Sequence, residues 1–135
     1  DGNIENNYEM HYADVRTWGS KKGYVDYLMP QIYYGFYNEV KPFVSVLEEW
    51  EQLSTKVSLM PVLAFYKVGA IDKFAKEGMN EWIENSDIIM REVLLSRNLA
   101  QYQGFSLFRY DYLFNTDLQT NTTMAEVKNM KKVIK

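Results

Sequence analysis

The 135-residue sequence contains no cysteine. That excludes a disulfide framework, a thiolate nucleophile and a cysteine-based metal site, and it leaves the redox compartment unreadable. Histidine is nearly absent too. His11 has no second histidine and no triad partner near it, so it reads as a surface or packing residue rather than a ligand or base. Glycines are isolated: Gly35, Gly69, Gly78 and Gly104 sit singly at turns, and none builds a phosphate-cradling loop. No cofactor and no metal are therefore expected. No apolar run approaches the roughly 20 residues needed to cross a bilayer, so no membrane span is expected. A net charge of −3 provides no field for nucleic acid, and the basic clusters at Lys21-Lys22 and from Lys128 to Lys135 are short. The opening Asp1-Gly2-Asn3 carries no signal-peptide pattern, so location cannot be read from the residues.

What is present is a globular composition, 47% hydrophobic and 24% charged, on a chain long enough for one domain with its own core. Aromatic residues are in excess at 16%, with 11 Tyr, 7 Phe and 3 Trp. Rings bury well in cores, and tyrosine also suits a surface that stacks on sugar faces while its hydroxyl hydrogen-bonds. Composition does not choose between the two.

The order of the residues says more. Leu28-Met29-Pro30-Gln31-Ile32-Tyr33-Tyr34 recurs as Leu59-Met60-Pro61-Val62-Leu63-Ala64-Phe65-Tyr66 at an offset of 31, the length of one strand–helix–strand unit. Each copy is a short apolar run without alternation, as expected of a strand buried on both faces in a parallel sheet. Gly104 to Tyr110 is a third run of this kind. Proline inside two of the runs removes a ladder donor and predicts a bulge or local irregularity. Between the first two runs, Val40, Phe43, Val44, Leu47, Trp50 and Leu53 fall at helical spacing behind Pro42. Asn85 or Ser86 is placed to cap a second helix carrying Ile89, Met90, Val93 and Leu94. Upstream, Tyr8 to Trp18 reads as one helix, and Thr123-Met124-Ala125-Glu126 reads as a capping box opening the last one. These elements predict an α/β chain with parallel strands and flanking helices. Three such strands leave two open edges, and a barrel needs eight strands and about 250 residues.

In parallel α/β folds, function collects at the carboxyl ends of the strands. Gln31, Tyr33, Tyr34, Phe36, Tyr37 and Asn38 follow the first strand, Phe65, Tyr66 and Lys67 the second, and Arg109, Tyr110, Asp111 and Tyr112 the third. Aromatics interleaved with amide, cationic and carboxylate groups are the inventory of a sugar site, although any one ring can simply close the top of a core. On a regular strand Arg109 and Asp111 point the same way, with Asp111 able to act on a sugar hydroxyl or as an acid or base, or else to pair with Arg109. Glycoside hydrolysis usually needs two facing carboxyl groups, and only Asp111 is well placed; Glu5, Glu39 and Asp72 lie in loops that reach toward the rim without distinctive spacing.

The stretches Gly2-Asn3-Ile4-Glu5-Asn6-Asn7-Tyr8, Tyr12-Ala13-Asp14-Val15, Gly23-Tyr24-Val25-Asp26-Tyr27 running into Pro30-Gln31-Ile32-Tyr33, Tyr66-Lys67-Val68-Gly69, Asn80-Glu81-Trp82-Ile83, and Gly104-Phe105 through Phe108-Arg109-Tyr110-Asp111 form a specific series. In that order they resemble the carboxy-terminal part of bacterial glycosyl-hydrolase-like proteins of the family-ten-like group, formerly catalogued as a domain of unknown function. The likeness runs to about Phe114. It implies a partial (β/α)8 TIM barrel, with residues 1–135 supplying its last three β/α units as the carboxy-terminal segment. It also implies carbohydrate as the partner and an extracellular or cell-surface location. In the family an acidic Phe-Asp-Asp-Tyr type motif would lie upstream of residue 1, and Tyr34 stands where tryptophan is common.

On this reading the chain is part of a glycoside hydrolase and supplies the aromatic and polar half of its site. Gln31, Tyr33, Tyr34, Tyr66, Lys67, Arg109 and Tyr110 are the expected substrate contacts, Asp111 the expected catalytic residue, and Asn3, Asn6 and Asn7 contribute from the first loop. Little hydrolysis is expected of the chain alone. The alternatives are a non-catalytic carbohydrate-binding segment, or an inactive piece that forms a homodimer through open sheet edges in place of a missing amino-terminal half of the barrel.

Overall fold

The Leu-Met-Pro repeat sets the sheet register. In a computed structural model of the chain, which describes residues 4–134, the two copies lie side by side in parallel. Tyr27 faces Ser58, Leu28 faces Leu59, Gln31 faces Val62 and Ile32 faces Leu63, so partners stand one repeat apart. Each copy is split at its proline. The first forms β1 (Tyr27–Leu28) and β2 (Gln31–Ile32), and the second β3 (Ser58–Leu59) and β4 (Val62–Leu63). The third run contributes β5 (Ser106–Leu107), parallel to β4 with Val62 opposite Ser106. Pro30 and Pro61 have no N–H to give but still accept, from Val62 N and Ser106 N respectively, each at 2.9 Å. The prolines therefore interrupt the ladder without separating the strands. Two sheets result, β1-β3 and β2-β4-β5.

This corrects the expected partial (β/α)8 barrel. Among the described residues there are seven α-helices and two small open sheets, and no barrel-like arrangement of eight parallel strands. Closure requires eight strands tilted and staggered in continuous register. Here the chain crosses the sheet region three times, and proline cuts two of those crossings into two-residue strands.

Two further expectations are revised at the helices. In place of one helix over Tyr8 to Trp18 there are α1 (Ile4–His11) and α2 (Val15–Ser20). Tyr12 adopts φ 54°, breaking the first, and Asp14 caps the second by accepting from Thr17 N at 3.1 Å. The amphipathic crossover is α3 (Phe43–Leu53), which begins directly after Pro42 and buries Phe43, Val46, Leu47, Trp50 and Leu53. It is followed by α4 (Glu81–Glu84), α5 (Ile88–Ser96), α6 (Tyr110–Phe114) and α7 (Asn121–Met130). Neither Asn85 nor Ser86 caps α5. Asp87 occupies the cap position but its side chain pairs with Arg91 rather than capping, and Glu126 of α7 accepts from Ile88 N at 2.9 Å and Met90 N at 3.0 Å instead. The last helix starts earlier than expected, capped by Thr120 with Thr123 reciprocating, which frees Glu126 for that distant role.

The core forms where Ile32, Leu59, Leu63 and Phe65 meet Phe43, Leu47, Trp50, Trp82, Ile88, Ile89 and Val93. Each such side chain contributes about 1.5–3 kcal/mol by leaving water. No helix among the described residues is long and apolar enough to cross a membrane.

Candidate functional site

The carboxyl ends of β2, β4 and β5 converge on a cluster of rings. Tyr33 stacks on Phe108 with centroids 5.6 Å apart and meets Tyr66 edge-on at 5.7 Å, while Tyr66 meets Phe108 edge-on at 5.9 Å. Edge-on and offset contacts match the ring quadrupoles, and each contributes about 0.5–1.5 kcal/mol beyond burial. Tyr66 reaches this position because the chain leaves β4 in a 3-10 turn, Phe65–Lys67, that buries Phe65 and lifts the next two side chains. Phe108 belongs to the third apolar run and was read from sequence only as strand.

The same turn delivers Lys67. Its ammonium donates to Tyr33 O at 2.8 Å and to Asp72 Oδ2 at 2.7 Å. This pair is largely withdrawn from water, with side chains 17% and 2% exposed. Asp72 also accepts from Phe74 N at 3.2 Å, and its own N–H donates to Met79 O, so its loop holds it in place. Around the pair lies a cleft of about 350 Å³ lined by Gln31, Tyr33, Tyr34, Asn38, Lys67 and Asp72, with the exposed ring of Phe74 at its margin. Burial, reinforced by the Asp72 charge, pushes the Tyr34 hydroxyl above the ordinary tyrosine range and does the same to Tyr66. Tyr33 shifts the same way through burial and then Tyr66. All three are neutral donors at physiological pH.

One wall of the cleft is clamped from behind. Glu81, at the start of α4, is buried and accepts from Phe36 N at 3.0 Å and Tyr37 N at 2.9 Å. Asn38 Oδ1 turns the chain by accepting from Val40 N at 3.0 Å and Lys41 N at 2.9 Å. Gly35 is required here, since a Cβ on it would lie 2.1 Å from Glu81 Oε2. Burial raises the Glu81 carboxyl above its ordinary range, opposed by the two amides it holds. Sequence reasoning missed Glu81 as a wall builder; a single acid ahead of Trp82 carries no local signal for it.

The third strand end differs from expectation. Arg109 is the cap residue of α6 and Asp111 lies in its first turn, so they do not project from a regular strand. They form an ion pair, Arg109 Nη2 to Asp111 Oδ2 at 2.7 Å, and the guanidinium also sits 5.7 Å from the Tyr112 ring centroid. Tyr112 in turn lies 6.4 Å from Tyr66, joining this pair to the ring cluster. Tyr110 is exposed and packs on Phe114 at 4.6 Å.

The structure thus brings Gln31, Tyr33, Tyr34 and Lys67 into one cleft, with Tyr66 beside it, and adds Asp72 and Asn38. Asn6 and Asn7 belong to helix α1 rather than to a loop, and Asn7 approaches Gln31 in a shallow neighbouring groove of about 200 Å³. Asn3 lies outside the described residues. Of the other acids, Glu5 pairs with Arg16 and Glu39 is exposed. A larger cleft of about 830 Å³ runs along α1, α2 and α3, but no aromatic ring lines it. No group of three or more potential metal ligands occurs among the described residues.

With this geometry in view, comparison with known proteins narrows the class. Proteins named glycosyl hydrolase DigH, from Escherichia coli and Shigella flexneri, are 32% and 31% identical to the chain over 110 residues. The chain is a distant relative of these glycosyl hydrolases. The match takes in 78% of this chain and 24% of each relative, so the chain spans about a quarter of the length of the curated proteins it matches. No protein-family model matches it, and no solved structure does.

Proposed function

We propose that this chain is a segment of a longer glycoside hydrolase and that its cleft at the ends of β2 and β4 binds carbohydrate. The observation that carries the reading is the cleft itself, where Tyr33 and Tyr34 alternate with Gln31 and the Lys67–Asp72 pair. Tyrosine faces suit the apolar face of a pyranose, and the amide, ammonium and carboxylate offer the mixed donors and acceptors that sugar hydroxyls require.

Hydrolysis needs two carboxyl groups across a glycosidic bond. Asp72 is engaged by Lys67 and Asp111 by Arg109, which favours binding over turnover for this chain by itself. Asp111 retains one buried oxygen without a hydrogen-bond partner among the described residues and is the acid we assign to catalysis in the whole protein. Calorimetric titration with cello-, xylo- and chito-oligosaccharides tests the reading. At least one should bind, and Tyr34→Ala and Lys67→Met should each weaken that binding about tenfold or more, a loss of about 1.4 kcal/mol. Wild-type affinity in both variants, or binding to none of the oligosaccharides, would sink the proposal. Turnover of a glycan by the chain alone, abolished in Asp111→Asn, would overturn its assignment as a binding half.

A further inference from the structure

Phe74 is a large apolar ring that the core does not use. It is 86% exposed, and it stands at the margin of the cleft that Tyr33, Tyr34 and Lys67 line. The rings of Tyr33, Tyr66 and Phe108 are spent on one another, whereas Phe74 stacks on no other ring among the described residues. The exposed charged residues Lys73, Lys76 and Glu77 interrupt the apolar surface of its loop. Such a surface suits a ring-sized ligand better than the broad apolar patch of a protein interface.

The ring is nevertheless held in place. Asp72 Oδ1 accepts from Phe74 N at 3.2 Å while Oδ2 takes the Lys67 ammonium at 2.7 Å, so one carboxylate sets both the cation inside the cleft and the ring at its mouth. The loop closes on itself through Asp72 N donating to Met79 O at 2.9 Å and Ala75 N donating to Asp72 O at 3.0 Å. It is also braced against the segment after β2. Glu39 N donates to Ala75 O at 3.4 Å, and Gly78 packs so closely that a Cβ there would lie 2.1 Å from Tyr37 O. That segment brings exposed Val40 to the same cleft. Two mutually braced loops thus present apolar side chains at a mouth formed in advance, which a ligand does not have to order on binding.

We propose that Phe74 is the stacking platform for a second sugar ring, so that the cleft and its mouth together bind an oligosaccharide in preference to a single sugar. The inference rests on the carbohydrate reading of the cleft and deepens it. One ring sits inside, among Tyr34, Gln31 and the Lys67–Asp72 pair, and the next lays its apolar face on Phe74 with its hydroxyls in water. A phenyl ring has no hydroxyl of its own to satisfy and offers its face alone, so Phe74 adds affinity without reading the identity of that second sugar.

Calorimetric titration of the chain with saccharides of increasing length, in whichever of the cello-, xylo- and chito- series binds, tests the platform. From the shortest member that binds to those one or two rings longer, affinity should rise about tenfold or more. Phe74→Ala should erase that rise and keep the affinity for the shortest member, Phe74→Trp should retain the rise, and Tyr34→Ala should weaken every length. Because the ring is exposed, Phe74→Ala should also leave the urea midpoint at its wild-type value. Affinity independent of length, an undiminished rise in Phe74→Ala, or an equal loss at every length overturns the platform and leaves the cleft reading standing. A clearly lower urea midpoint would place the ring in the fold and overturn it too, whereas binding of no saccharide at any length removes the cleft reading and the platform together.

Discussion

Glu81 supports the cleft from behind its wall without lining it. Its two oxygens hold Phe36 N and Tyr37 N, and Arg91 closes the outside by placing its guanidinium 4.6 Å over the Phe36 ring. Removing the carboxylate leaves two half-buried amides without their acceptor, each costing about 1–3 kcal/mol. Glu81→Ala should therefore lower urea-unfolding stability by about 2–4 kcal/mol, with Glu81→Gln, which retains one acceptor, recovering part of the loss. A change within about 0.5 kcal/mol for Glu81→Ala would show that the clamp is unimportant. The residues that do the clamping were less legible in sequence than those they position. Tyr33 and Tyr34 follow β2 directly, Gln31 lies within it and Lys67 closes the turn after β4, so the apolar runs alone locate them. Glu81 and Asp72 arrive from a long loop whose path depends on tertiary contacts, such as Glu39 N donating to Ala75 O and Asp72 N to Met79 O.

At the scale of elements, helix α2 meets α3 through Gly19. A Cβ at that position would stand 2.2 Å from Leu53 Cδ2 and 2.7 Å from Leu53 O. Alanine is the better helix former by about 1 kcal/mol, so an exposed glycine would gain from the exchange. Here the nearest side-chain atom can swing aside, but the Leu53 carbonyl cannot, and overpacking of this kind costs about 1–3 kcal/mol. Gly19→Ala should come out neutral to destabilising by about 2 kcal/mol in urea unfolding, and a gain in stability would show that the two helices have room to part. Element boundaries were read with mixed success for identifiable reasons. Pro42 ahead of an apolar stripe located α3 well. The break between α1 and α2 depends on Tyr12 taking a left-handed conformation, which a tyrosine rarely signals. At α7, the residue pattern puts the box at Thr123 to Glu126, whereas the cap is Thr120 with Thr123 reciprocating, and Glu126 is buried against the start of α5.

Over the whole molecule, the buried acids tie stability to pH. Glu126 has its carboxyl raised from an ordinary 4.5 to about 7, so between those values the folded chain binds the proton that the unfolded chain has released. Its contribution is fully present below about pH 4.5 and is lost as pH rises through about 7, amounting to on the order of 3 kcal/mol. Glu92 shifts in the same direction and extends the decline to higher pH. Urea unfolding should therefore show greater stability near pH 5 than near pH 8, and Glu126→Gln should flatten the profile over the lower part of that window. A profile that rises from about pH 5 to about pH 8 would contradict the burial of both acids.

By itself the sequence determined that strands run in parallel at the Leu-Met-Pro repeat, because register there is simply the repeat spacing, and that tyrosines, an amide and a lysine collect at the strand ends. It also carried the kinship to glycosyl hydrolases, through short segments whose order survives when identity has fallen to about a third. Tertiary structure decided what periodicity cannot express: that the sheets stay small and open, that Asp72 pairs with Lys67 and Arg109 with Asp111, and that Glu81 and Glu126 serve amides 44 and 36 residues or more away. A glutamate on a helix looks the same in sequence whether it faces water or a distant backbone donor. Only packing removes the water and makes the difference.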